Sequence, residues 1–240
     1  TRESRTIGDV DFGADAGLDS EALMIRWFDY WLKDGDRAII SEAPVRVFIM
    51  GENAWRDEQE WPLARAVPTA YYLSSDGRAN TREGDGVLRT SPAAPRTPAD
   101  TYTYDPANPV PTGAAGGYSR TPADQREVEM RQDVLVYTSE PLAEDIEVTG
   151  PLALTLWIAS TARDTDFTGR LVDVFPDGTA RALADGILRA RYRRGPTNPS
   201  LLTPGQPTEI TIDLGATANL FRAGHRIRLE VSSSNFPRFD

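Results

Sequence analysis

Residues 208–214 read Thr208-Glu209-Ile210-Thr211-Ile212-Asp213-Leu214, and residues 226–231 read Arg226-Ile227-Arg228-Leu229-Glu230-Val231. Apolar and polar side chains alternate without a break in both. An extended chain therefore gathers Ile210, Ile212 and Leu214 on one face, and Ile227, Leu229 and Val231 on one face of the other strand. A period of two is what antiparallel sandwich strands show when one face is buried. Working outward, residues 45–50, 70–73, 134–137 and 152–158 predict further strands. Residues 170–175 and 180–183 predict a hairpin turning at Pro176-Asp177-Gly178. Between them lies a stretch from 91 to 122 carrying Pro92, Pro95, Pro98, Pro106, Pro109, Pro111 and Pro122 with Gly113, Gly116 and Gly117, which predicts a long excursion able to drape over a neighbouring domain.

Ahead of the strands the period is helical. Over residues 18–33, Leu23, Trp27 and Trp31 recur every four residues and Met24 and Phe28 widen their face, with Asp19 or Ser20 as the cap and Gly35 as the stop. Residues 1–17 are polar and glycine-rich, a loop arriving from something earlier. The expected division is thus 1–42, loop and helix, and 43–240, a mainly β sandwich.

The 240 residues, 40% hydrophobic and 9% aromatic, suffice for a core. A net charge of -10 without a basic run argues against a nucleic-acid partner, whose binding needs clustered cations to release counterions. There is no cysteine, which excludes disulfides and thiolate metal sites. No apolar stretch approaches the roughly 20 residues that span a bilayer, so no membrane is called for. The compartment stays open between cytoplasmic and secreted.

Candidate chemistry is sparse. A serine hydrolase needs a nucleophile on a sharp turn, a histidine and an orienting carboxylate. The chain has no G-x-S-x-G, and its one histidine, His225, sits where a turn glycine enters a strand. The expectation is a hydrogen bond at a strand start, not a catalytic base. Asp164-Thr165-Asp166-Phe167-Thr168-Gly169 begins like a calcium loop, yet Phe175 falls where the bidentate glutamate belongs. It reads as a polar turn, and no metal or cofactor is expected. Trp55, Trp61, Tyr71 and Tyr72, interleaved with Arg56 and Arg65, offer either core aromatics or a stacking platform. The polar residues 51–60 read as a loop facing a cleft.

Several segments stand in a particular order: Ile7-Gly8-Asp9-Val10-Asp11-Phe12-Gly13, the helix Arg26-Trp27-Phe28-Asp29-Tyr30-Trp31, Val47-Phe48-Ile49-Met50-Gly51 and Trp61-Pro62. Then follow Asp164-Thr165-Asp166-Phe167, Asp185-Gly186-Ile187-Leu188-Arg189, and Gly224-His225-Arg226 through to Ser234-Asn235-Phe236-Pro237. In order and spacing they resemble the cocaine esterase, X-Pro dipeptidyl-peptidase and α-amino-acid ester hydrolase family of serine hydrolases. The resemblance implies an α/β-hydrolase domain, a helical cap and a carboxy-terminal jelly-roll (galactose-binding-like) β-sandwich. This chain would hold the last helix of the first and nearly all of the last, truncated at both ends.

The resemblance also implies that the triad precedes Thr1, so no catalytic residue is assigned here. Trp55, Arg56 and Trp61 are expected to line the substrate cleft. The expected partners are the α/β-hydrolase domain and a small ester or peptide substrate, with a homo-oligomer possible. The alternatives are a stand-alone carbohydrate-binding jelly roll using Trp55, Trp61 and Tyr71, and a structural or adhesive sandwich.

Overall fold

The computed structural model describes residues 5–92, 98–113 and 122–239. Pro95, Gly116 and Gly117 of the proline-rich stretch lie outside the described residues, as do the first four residues and Asp240. The chain groups into two compact units. One takes residues up to 67 with 147–150 and 218–220, the other 68–146, 151–217 and 221–240.

The first unit opens with two short antiparallel strands, β1 (Thr6–Ile7) and β2 (Val10–Asp11). The helix α1 (Ser20–Lys33) follows, capped by Asp19, whose carboxylate accepts from the Ala22 N–H at 3.0 Å. At its other end Asp34 takes the left-handed conformation, φ 51°, that the sequence suggested for Gly35. The Gly35 N–H then closes onto the Asp29 carbonyl at 3.0 Å. No residue of α1 is buried.

β3 (Val45–Ile49) and β4 (Ala54–Glu58) form an antiparallel hairpin with Phe48 opposite Trp55. The loop expected over residues 51–60 is therefore a turn followed by a strand. Polar residues concealed that strand, because Arg56 and Glu58 are carried in ion pairs and not in water. Gly51 turns the hairpin at φ +80°, and a Cβ there would lie 2.3 Å from the Leu220 carbonyl oxygen. Only glycine fits.

The second unit contains a six-stranded sheet in the order β10-β9-β12-β7-β6-β5. Its members are β5 (Tyr72–Ser74), β6 (Val87–Arg89), β7 (Leu135–Thr138), β9 (Asp166–Val174), β10 (Ala180–Arg189) and β12 (Arg226–Ser232). β12 runs antiparallel to both β7 and β9. β8 (Ile146–Ile158) and β11 (Thr208–Phe221) pair as a second sheet. Two glycines record how closely the layers meet. A Cβ on Gly169 would stand 2.6 Å from Leu154 Cδ2 and 3.0 Å from Leu214 Cδ2, and one on Gly186 would stand 1.9 Å from the Asp213 carbonyl oxygen. The fold is a β-sandwich.

On β11 the alternation behaves as expected: Ile210, Ile212 and Leu214 are buried, Thr211 and Asp213 exposed. On β12 it does not. Ile227, Leu229 and Val231 are buried, but so are Arg228 and Glu230, at 8% and 4% exposure. The polar face of this central strand is covered by the chain around Val110, Gln125 and the 3-10 turn Val128–Met130, whose Val110 and Val128 pack with Val134 and Val136.

Candidate functional site

Trp55, Arg56 and Trp61 all lie in the first unit. Trp55 leaves β4 half-buried, and its indole N–H donates to the Asp15 carbonyl at 3.1 Å. One face of its ring meets Phe48 at 5.2 Å between centroids, Phe48 in turn meets Phe12 at 5.9 Å, and the Arg46 guanidinium lies 6.0 Å from the Trp55 centroid. Trp55 is therefore anchored by a hydrogen bond and an edge-to-face neighbour.

Arg56, the next residue on the hairpin, points across to Glu147. Its Nη1 and Nη2 donate to the two carboxylate oxygens at 2.8 and 2.5 Å, and its Nε lies 2.7 Å from Glu58 Oε1. Glu58 is clasped again by Arg65, and Thr149 Oγ1 donates to Glu147 at 2.7 Å. The Arg56 guanidinium, with help from Thr149, holds the Glu147 carboxyl down to about 2. With Nη1 and Nη2 both committed to Glu147, the guanidinium braces the strand beside Trp55. Trp61, joined to Pro62 by a cis peptide, is 41% exposed. Of the three predicted residues it presents the freest aromatic surface. Tyr71 and Tyr72 fall in the second unit, Tyr71 half-buried and Tyr72 on β5.

His225 is buried, its Nδ1 is 2.8 Å from Asp173 Oδ1, and its ring lies 4.3 Å from that of Phe175. An Asp-His pair is two-thirds of a hydrolytic triad, so the hydroxyl of Ser139, whose N–H donates to the carbonyl of Ile227 two residues along from His225, matters. Ser139 Oγ donates to the Glu140 carbonyl and accepts from the Ile227 N–H. It is held by backbone, and the histidine is a strand-start hydrogen bonder, as the sequence suggested. Asp164 and Asp166, the would-be calcium ligands, are occupied by Arg191 and Arg189. Among the described residues no three His, Cys, Asp or Glu side chains are grouped to hold a metal ion.

The cavities lie elsewhere. One of about 690 Å³ in the second unit is lined by Arg82, Asp124, Arg126, Glu127 and Arg228 among others, with Arg126 already paired to Asp124. Sequence reasoning missed one arrangement outright, the buried charges Arg170, Arg228, Glu129 and Glu230 of the sandwich interior. Alternation announced a polar face on β12 but held no sign that another segment would cover it.

Set against known proteins, residues 38–240 match the model of the X-Pro dipeptidyl-peptidase C-terminal non-catalytic domain. The chain is 48% identical over 220 residues to cocaine esterase of Rhodococcus sp. (strain MB1 Bresler), covering 89% of this chain and 38% of that protein. It is 32% identical over 248 residues to a putative serine esterase of Mycobacterium bovis, covering 92% of this chain and 37% of that one. Among solved structures, an aminopeptidase from the marine sediment archaeon Thaumarchaeota archaeon superposes with a TM-score of 0.79 at 29% identity, over 98% of this chain and 40% of the other. The chain thus spans well under half the length of the relatives it matches.

Proposed function

Because the chain belongs to the X-Pro dipeptidyl-peptidase C-terminal non-catalytic domain family, we propose that its β-sandwich packs on the α/β-hydrolase domain of a serine acyl hydrolase and helps wall the substrate cleft. The parent reaction is then acyl transfer to water: serine attack on a small ester or peptide carbonyl, an acyl-enzyme, and hydrolysis. On this reading residues 1–42 are the end of the hydrolase domain and 43–240 the sandwich module.

The observation that carries the reading is the helix. Leu23, Trp27, Phe28 and Trp31 of α1 are 41 to 59% exposed, and an amphipathic helix with three large aromatics uncovered is made to be packed upon. The carbohydrate-binding alternative loses ground at Trp55, whose ring lies against Phe48 and whose N–H is committed to Asp15.

For the cleft-wall role of Trp55, Arg56 and Trp61, the test is kinetic, in the full-length protein. Trp61→Ala should raise KM several-fold while kcat and labelling by a serine-directed organophosphonate stay unchanged, since uniform binding is lost without touching the chemistry. If Trp55→Ala, Arg56→Ala and Trp61→Ala all leave KM unaltered for every ester and dipeptide substrate turned over, the cleft is walled by other residues.

A further inference from the structure

We propose that the cavity of about 690 Å³ in the second unit binds a small zwitterion, a molecule with a carboxylate at one end and an ammonium group at the other, of the size of a free amino acid or dipeptide.

The floor of the cavity is one face of the six-stranded sheet. Arg228 of β12 stands opposite Val172 of β9, so its side chain leaves the sheet on the same side as those of Val172 and Val174. Val174, 6% exposed, and Met130, 43% exposed, form the apolar part of the lining. The walls are residues 124–130 and the hairpin tip at Asp177-Gly178. These walls are fastened together: the Gln125 N–H donates to the Ala180 carbonyl at 2.8 Å, and the Ala180 N–H donates to Asp124 Oδ1 at 3.4 Å. The volume falls within the roughly 300 to 1,000 Å³ of small-molecule sites.

The charges of the lining sort into two ends. At one end Arg82 and Arg228 are both attached to Glu129. The Arg82 backbone N–H donates to the Glu129 carbonyl at 2.8 Å, and Arg228 Nη1 donates to Glu129 Oε2 at 2.6 Å. Arg228 is 8% exposed and its Nε is bonded to Thr138 Oγ1, yet the two N–H groups of Nη2 have no acceptor among the described residues. Nη2 is not sealed from solvent either. The Arg82 side chain is exposed and makes no ion pair or hydrogen bond among the described residues. Two guanidinium groups with donors to spare beside one backbone position suit a carboxylate.

At the other end the acids have capacity to spare. Asp124 is spent on Arg126, at 2.6 Å. Glu127 has no side-chain partner among the described residues, and Asp177 is bonded only within its own turn, where it accepts from Thr179. Both lie close enough to Arg126 for their charges to add to its bond with Asp124, which comes first in holding that guanidinium above its ordinary value. Two carboxylates with open lone pairs suit an ammonium group. In all, the three arginines Arg82, Arg126 and Arg228 balance the three acids Asp124, Glu127 and Asp177, so the lining has no net charge. A simple anion would meet the acids as well as the arginines, and a simple cation the reverse. A molecule that carries both charges gains at both ends.

The test is a titration of the isotope-labelled full chain, followed by the nuclear magnetic resonance of its backbone amides, at slightly acidic pH. The probes are L-leucine and glycyl-L-leucine, with N-acetyl-L-leucine, L-leucinamide and inorganic phosphate for comparison. At least one of the two zwitterions should shift the Met130 and Gly178 amides saturably. N-acetyl-L-leucine lacks the ammonium group and L-leucinamide the carboxylate, so each should bind about tenfold more weakly or worse. Arg82→Gln keeps the backbone bond to Glu129; it should weaken the zwitterion by a similar factor and leave L-leucinamide unchanged. Glu127→Gln should weaken the zwitterion and leave N-acetyl-L-leucine unchanged. A loss caused by misfolding would strike all probes alike, so this crossed pattern reports the site itself. The proposal is overturned if neither zwitterion gives a saturable shift at millimolar concentration. It is equally overturned if N-acetyl-L-leucine, phosphate or L-leucinamide binds as tightly as the zwitterion, which would mark a site for a single charge.

Discussion

At Gly186 the two sheets touch through backbone, and at Gly169 through side chains. This contrast makes a ranked prediction. Alanine at 169 meets the ends of Leu154 and Leu214, which can shift, so Gly169→Ala should cost about 1 to 3 kcal/mol, the usual penalty of overpacking. Alanine at 186 meets the Asp213 carbonyl at 1.9 Å, which moves only if β11 moves. Gly186→Ala should therefore cost more than Gly169→Ala, and urea midpoints measured on both variants check the order; equal midpoints would mean that the layers are looser than described. Neither glycine was recognisable as a packing residue from the sequence, since glycine in a strand reads the same whether it serves a bulge, a bend or a close approach. The same limit applied to charge. Arg56 and Glu58 looked like loop residues and Arg228 and Glu230 like a solvated face, because a sequence shows the charge but not the partner that makes its burial tolerable. His225 was legible, since a turn glycine followed by alternation fixes a strand start.

Among the elements, period was the reliable signal. The helix and the strands β9, β11 and β12 were evident from spacing, and their observed bounds lie around those expected. β8, β10 and β11 run longer than the expected 152–158, 180–183 and 208–214, because Gly150, Gly186 and Gly215 interrupt a pattern that the hydrogen-bond ladder does not interrupt. β4 and the three-residue β6 went unseen, the first for its charges and the second for its brevity. α1 carries its own prediction. Burying Leu23, Trp27, Phe28 and Trp31 is worth roughly 1.5 to 3 kcal/mol each, so a chain that leaves them exposed should associate through them. Trp27 and Trp31 pack on one another at 5.9 Å, and Tyr30 meets Trp31 at 5.0 Å, so their exchange disturbs only the helix surface. The native chain should sediment as an oligomer and bind an apolar-sensitive dye, whereas Trp27→Gln with Trp31→Gln should restore the monomer and weaken the dye signal. A native chain already monomeric would show that the face is not adhesive.

For the whole molecule, the chain groups into two compact units, and residues 38–240 match the X-Pro dipeptidyl-peptidase C-terminal non-catalytic domain. The fold class was legible because a sandwich is written in alternation, and the family because motifs kept their order. The surroundings of Trp55, Arg56 and Trp61 were not legible: Trp55 is anchored and Arg56 engaged, which leaves Trp61 the most exposed of the three. The central claim is that this chain supports acyl hydrolysis without performing it. The direct measurement is incubation of the folded 240-residue chain with a serine-directed organophosphonate, followed by mass spectrometry of the intact protein and an assay with a nitrophenyl acylate. The account predicts no adduct and no turnover above a serum-albumin control. A stoichiometric adduct on one serine, with turnover abolished by His225→Ala, would contradict it.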